Sequence, residues 1–159
     1  MKEQKTVAES ATTLSQVMMP RDANHYGNVH GGVIMKLVDD VAYVVASRHA
    51  RRNVVTASID SLSFKNPVHI GDVVILKAHL TYVGRTSMEV EVKVDTERLK
   101  TGETLPVATA YITMVALDDK GRPTPVPGLL IKTEEEKKRY KEAQIRRKER
   151  LKKVGRGEQ

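Results

Sequence analysis

Residues 24–40, NHYGNVHGGVIMKLVDD, set a polar, glycine-bearing turn against an apolar run that reads as the start of a helix. The helix candidate extends from Gly31 or Gly32 to about Arg51 and is rich in Val, Ile, Met, Leu and Ala. It is apolar on most faces, which marks a buried helix more than a surface one. Valine and isoleucine are modest helix formers, so tertiary packing has to hold it. Two carboxylates, Asp39 and Asp40, nevertheless sit inside it. At about 100° per residue, Gly32, Met35 or Lys36, Asp39 and Tyr43 share one stripe. Asp40 is turned about 100° away, where Lys36 at i−4 is the ordinary partner. Asp39 lacks such a local explanation, and an ionised carboxylate buried without partners is costly.

Strands flank this helix. Residues 12–19, TTLSQVMM, predict a first strand ending at Pro20. After the helix come Val54–Lys65, a break at NPVHIGD, then Asp72–Val83 with Val74, Leu76, Ala78, Leu80 and Tyr82 at period two. Thr86–Arg98 alternates Met88, Val90, Val92 and Val94 against Ser87, Glu89, Glu91 and Lys93, and Thr104–Leu117 is apolar on both faces. VGRT at 83–86 predicts a tight hairpin, and DDKGRPTPVPG ends the sheet. The order predicts an α+β chain in which long, curved antiparallel strands wrap one central helix. Such a sheet leaves an open edge, for which pairing with a second copy is the usual remedy.

Composition narrows the function. With 159 residues there is room for one ordinary domain and its core. The absence of cysteine excludes disulfides, thiolate zinc sites and cysteine nucleophiles, and suits a reducing cytoplasm. The start, MKEQKTVAES, lacks a signal-peptide core, and the longest apolar run, Val41 to Ala46, is far short of a membrane span. A soluble, cytoplasmic protein is expected. Of the net charge of +7, residues 133–159 carry +5, from 11 Lys/Arg against 6 Asp/Glu. In this segment Thr133 and Glu136 form a capping box, while Tyr140, Ile145, Leu151 and Val154 make no continuous stripe. It reads as a solvated, partly frayed basic helix, with nucleic acid or acidic lipid as the other reading. The body shows no basic stripe interleaved with aromatics, so nucleic acid is not expected to be its partner.

The helix start carries the chemistry. Gly31-Gly32 either makes a tight strand-to-helix junction or lets a ligand approach the backbone, where unpaired amides and the positive dipole end would stabilise a carbonyl oxygen gaining charge. Seven residues of helix place Asp39 about 10 Å along the axis from Gly32. Its side chain does not lean back that far. An antiparallel helix from a second protomer would bring one Asp39 opposite the other Gly32.

At these residues the chain resembles the hotdog-fold acyl-coenzyme A thioesterases, in their acyl-CoA hydrolase branch. The matching stretches are Asn24 to Asp39, Ser58 to Asp72 (SIDSLSFKNPVHIGD, with Phe64, Pro67 and Gly71-Asp72) and Val83 to Val92 (VGRTSMEVEV). With the strand order, they span about residues 10–125 of a 1–132 hotdog domain. The 133–159 tail lies outside the resemblance. The resemblance implies hydrolysis of an acyl-CoA to coenzyme A and a carboxylic acid, in fatty acid metabolism. Asp39 would act as general base or nucleophile, Asn24 would orient water or the thioester carbonyl from the other protomer, and the Gly32 amide, with Gly31, would be the oxyanion donor. Arg85, Thr86 and Ser87 are similar to the family's CoA-contacting segment, with Ser58, Lys65 and Asn66 as further substrate-binding candidates; an exposed hairpin residue is the other reading of Arg85. Neither a metal nor a cofactor is required, coenzyme A entering as part of the substrate. The branch implies self-association as a dimer and, beyond it, a hexamer built as a trimer of dimers.

Two other readings compete. A hotdog domain could bind acyl-CoA as a regulator without hydrolysing it, although a mere binder needs no carboxylate in its acyl tunnel. A hotdog hydratase would use a catalytic histidine in a differently spaced motif. Among the histidines, His30 reads as shaping the turn beside His25, and His49, His69 and His79 as surface or sheet residues. No HxxxH pair or GxSxG elbow is present.

Overall fold

The computed structural model describes residues 3–60 and 62–157. Positions 1, 2, 61, 158 and 159, which include one residue of the expected Val54–Lys65 strand and the end of the expected tail, lie outside the described residues.

Strand β1 (Gln4–Thr6) leads into a single helical turn, α1 (Val7–Ser10), capped by Thr6 and Glu9, and then into β2 (Thr12–Val17). A 3₁₀ turn at Pro20–Asp22 precedes α2 (Gly31–Ala50). Strands β3 (Asn53–Asp60), β4 (Val73–Val83), β5 (Ser87–Arg98) and β6 (Glu103–Leu117) follow, then the short β7 (Gly128–Leu130) and α3 (Glu134–Gly157). The main sheet has the order β2-β4-β5-β6-β3 and is antiparallel throughout. This is the hotdog arrangement, with β2 and β3 as its edges. β1 and β7 form a separate parallel pair that their short, unpatterned sequences did not suggest.

Periodicity explains the core. Along α2, Ile34, Leu37, Val38, Val41, Ala42, Val45 and Ala46 are buried. They meet the even-numbered row Met88, Val90, Val92 and Val94 of β5 and the row Ala110, Ile112, Met114 and Ala116 of β6. Each large aliphatic side chain buried here contributes about 1.5–3 kcal/mol relative to exposure. The remaining stripe of α2 turns away from its own sheet: Met35 and Tyr43 are 42% and 50% exposed. The helix is therefore covered on one side only within a protomer. On the adjacent edge strand β3, Val55 and Ile59 are also exposed.

A register shift between Thr56 and Ser58 makes Ala57 an extra residue in β3. Such a bulge reverses which face the following side chains occupy. Thr56 pairs with core-facing Met114, whereas Ser58 pairs with Thr113, on the opposite face.

Helix α3 corrects the expectation of a solvated tail. Its capping box forms as read, with Glu136 N–H donating to Thr133 Oγ1 at 3.0 Å and Thr133 N–H to Glu136 at 3.4 Å. Beyond it, α3 lies across the sheet face opposite α2. Ala143 is buried; Arg146 donates two hydrogen bonds to Glu89, at 2.7 and 3.2 Å, and sits 3.6 Å over the Tyr111 ring. Arg150 donates to Asp60 at 2.6 Å, and the rings of Tyr140 and Tyr82 lie 5.0 Å apart. The polar row of β5 is thus covered: Glu89 and Glu91 are 3% and 5% exposed. Hydrophobic periodicity misses this docking because arginine and tyrosine, rather than a leucine stripe, hold the helix.

Candidate active site

The turn before α2 is built by Asn24. Its Oδ1 accepts hydrogen bonds from the amides of Tyr26 and Asn28 at 2.9 and 3.2 Å, and its own amide donates to Asn28 O at 2.7 Å. Gly27 takes φ of +85°, open to glycine at little cost. With Oδ1 committed, Nδ2 of the half-buried Asn24 has no partner among the described residues and can donate. His69 Nδ1 meets Asn28 Oδ1 at 3.0 Å, and Asp72 accepts from His69 N and Thr96 Oγ1. The Ser58–Asp72 segment thereby braces the turn. His30 caps α2 without a side-chain bond, its carbonyl accepting from Val33 and Ile34.

The first two amides of the helix, at Gly31 and Gly32, carry no backbone partner among the described residues. Gly32 is exposed, and a Cβ there would meet open space; one at Gly31 would lie 3.5 Å from the Phe64 ring. These amides form the positive end of a 20-residue helix.

Asp39 is half-buried on the exposed stripe of α2, and its Oδ1 accepts a 2.6 Å hydrogen bond from Thr56. Thr56 Oγ1 also lies 3.4 Å from the Met114 sulfur. Thr56 was not singled out from the sequence. The signal was a hydroxyl at an inward-facing position of the edge strand, ahead of a bulge that periodicity does not display. Asp40 takes Lys36 as partner at 2.9 Å.

The remaining predicted residues separate into two groups. Arg85, Thr86 and Ser87 lie in the β4–β5 hairpin, where Ser87 pairs with Val115, next to the Met114–Thr56 pair beneath Asp39. Lys65 and Asn66 bond instead to the Val107 and Pro106 carbonyls, at 2.8 and 2.7 Å. Eight residues of β6 separate Val107 from Val115, about 27 Å of extended strand. Within one chain, Lys65 and Asn66 share the glycine end of α2, while Arg85 shares its other end. Ser58, its hydroxyl buried without a partner among the described residues, faces α3, away from Asp39. His49, expected at the surface or in the sheet, is buried in α2 with Nε2 2.8 Å from Pro127 O. Burial pushes its imidazole below the ordinary value of 6.5.

Within one protomer, then, a fixed carboxylate and a set of open amides occupy the same exposed helix face, about 10 Å apart. Cavities lie along α3 and beside Arg52 and Arg85.

The thioesterase superfamily profile matches residues 26–103. A Bacillus subtilis protein described as an uncharacterized acyl-CoA thioester hydrolase is 45% identical over 80% of this chain and 74% of its own. The cytosolic acyl coenzyme A thioester hydrolase of Rattus norvegicus is 40% identical over 91% of this chain, which spans 38% of the rat protein's length. A hexameric acyl-CoA thioesterase structure superimposes with a TM-score of 0.91, 41% identity and coverage of 96% of this chain and 97% of that one. The acyl-CoA hydrolase of Staphylococcus aureus, solved with butyryl coenzyme A and coenzyme A, gives 0.89 at 34% identity, covering 98% and 94%. With this sheet, this helix and these relatives, the chain belongs to the hotdog-fold acyl-CoA thioester hydrolase family.

Proposed function

We propose that the protein hydrolyses the thioester of an acyl-CoA to coenzyme A and a carboxylic acid, in a site completed by two protomers. The observation that carries this reading is Asp39, fixed by Thr56 on a helix face that its own chain leaves uncovered. Pairing across the β3 edge would set two α2 helices side by side, antiparallel, and bring each Asp39 opposite its partner's Gly31-Gly32 amides. Those amides would receive the oxyanion as the thioester carbonyl is attacked. Nδ2 of Asn24 would donate to the carbonyl or to water. Asp39 would act either as general base toward water or as nucleophile, forming an acyl anhydride that water then opens. A hexamer built as a trimer of such dimers belongs to the same proposal, supported by the hexameric acyl-CoA thioesterase that this chain resembles.

Alanine variants of the Staphylococcus aureus hydrolase at an asparagine, an aspartate and a threonine support the residue assignment. Those three positions are separated by 15 and 17 residues, the same separations as Asn24, Asp39 and Thr56 here. The test is thiol release from short-, medium- and long-chain acyl-CoAs. Absence of release across the panel would leave a non-catalytic acyl-CoA-binding regulator as the reading.

A further inference from the structure

We propose that Arg52 joins Arg85 in gripping the phosphate-bearing end of the coenzyme A thioester, in a cleft at the C-terminal end of α2. This rests on the thioesterase reading and adds a binding residue to it. The cleft, a cavity of about 490 Å³, is lined by Glu3, Ala50, Arg52, Arg85 and the Pro125–Pro127 segment. Both arginines are exposed, and neither forms an ion pair among the described residues.

The backbone around them is fixed. Strands β3 and β5 flank β6, so Arg52 and Arg85, each just before its strand, stand about 10 Å apart across the end of β6. Ala116 N–H donates to Thr86 O at 3.0 Å and Val126 N–H to Arg85 O at 3.0 Å, while Thr124 N–H donates to Ala116 O at 2.9 Å. The buried His49 holds Pro127 from the helix side. The frame fixes where the two side chains start, and their planar guanidinium forks match phosphate oxygens.

Arg51 adds a second observation. It ends α2 in the left-handed region, at φ 52° and ψ 37°, the one described non-glycine residue with positive φ. Glycine is the usual occupant of such a position, and a side chain there costs about 1 kcal/mol. The sharp exit turns Arg52 onto the rim of the cleft instead of continuing along the helix. From Asp39 to Ala50 is eleven helical residues, about 17 Å, a span comparable with the extended pantetheine arm between thioester and pyrophosphate. Glu3 contributes one opposing carboxylate, so the lining carries a net positive charge.

Steady-state thiol release from an acyl-CoA and from the matching acyl-pantetheine, which lacks the nucleotide and its phosphates, tests this. Arg52→Ala is expected to raise KM for acyl-CoA about tenfold, with kcat little changed and acyl-pantetheine unaffected. Arg52→Lys should recover part of the loss, and Glu3→Gln should lower the acyl-CoA KM. An unchanged KM in Arg52→Ala, or an equal rise on both substrates, overturns the proposal while leaving the thioesterase reading intact. A wild type that releases thiol from neither substrate overturns both.

Discussion

The hydroxyl of Thr56 donates a 2.6 Å hydrogen bond to Oδ1 of Asp39, joining edge strand β3 to the centre of α2. One hydroxyl has one proton, so this bond engages a single carboxylate oxygen and leaves Oδ2 for a reacting group. The Met114 sulfur behind Thr56 limits where the hydroxyl can turn. Thr56→Val keeps the shape and removes the donor. We expect kcat to fall about tenfold with KM little moved, and Thr56→Ser to restore most of it. A Thr56→Val enzyme at wild-type kcat would reduce this bond to a structural detail.

Asp39 itself is predicted to matter more. Asp39→Ala removes the proposed base or nucleophile and should lower thiol release by at least about two orders of magnitude, whichever role it plays. Asp39→Asn preserves volume and hydrogen bonding to Thr56, so a comparable loss there would tie the effect to the charge. Turnover near the wild-type rate in either variant would move the base elsewhere.

The proposed site takes Asn24 and Asp39 from different protomers. Mixing Asn24→Ala and Asp39→Ala chains under subunit exchange should therefore regenerate activity. Half of randomly formed dimers are mixed and each holds one intact site, so recovery should approach about a quarter of wild type. Exchange without recovery, verified by native mass spectrometry, would place both residues in a single-chain site.

Much of this fold is legible in the sequence, for reasons that also explain what is not. Period-two alternation in β4 and β5, the proline-and-glycine breaks and the apolar α2 are strong local signals, and strand ends fall within a few residues of expectation, except at β3. There the Ala57 bulge makes Ser58 face α3, and the strand stops at Asp60 instead of running on toward Lys65. Stripe geometry places Asp39 and Asp40 in different surroundings, and Lys36 takes Asp40 as anticipated. The partner of Asp39 was hidden, because its pairing with Thr56 is set by tertiary register. The role of α3 was hidden too, since Glu89 and Glu91 look solvated until a helix carrying Arg146 covers them.

That cover makes α3 a structural element. Arg146→Ala would leave Glu89 buried with no opposite charge and only the Thr81 hydroxyl, at 2.6 Å, as a hydrogen-bond partner; the guanidinium is itself partly exposed, so we expect a loss of about 2–3 kcal/mol, below the range for fully buried pairs. Equilibrium urea unfolding measures it. Pairing Glu89→Gln with Arg146→Met should return part of the stability by removing both charges together. Deleting residues 134–159 would uncover Glu91 and Tyr111 as well, and should lower the unfolding midpoint more than either single change. A truncated chain as stable as the full one would reinstate the solvated tail.

Acid sensitivity follows from two histidines that burial holds below their ordinary value of 6.5, His49 in α2 and His79 beneath α3. For His49, the bond to Pro127 O offsets burial in part, while the Lys5 ammonium, bonded to the His49 carbonyl at 2.9 Å, opposes protonation. His79 faces Glu91 at 3.9 Å, which favours the charged form, against Arg139 and Lys93, which oppose it. Both groups take up protons more readily in the unfolded chain. Their effect is therefore absent well above pH 6.5 and grows as pH falls through 6.5 toward the lower folded-state values. Each costs up to about 1.4 kcal/mol per pH unit within that window. Urea midpoints should thus decline between pH 7.5 and 5.5, before most carboxylates titrate. His49→Gln, whose amide can still donate to Pro127 O, should flatten that decline. An equally steep profile in His49→Gln would assign the acid sensitivity to His79 or to the carboxylates under α3.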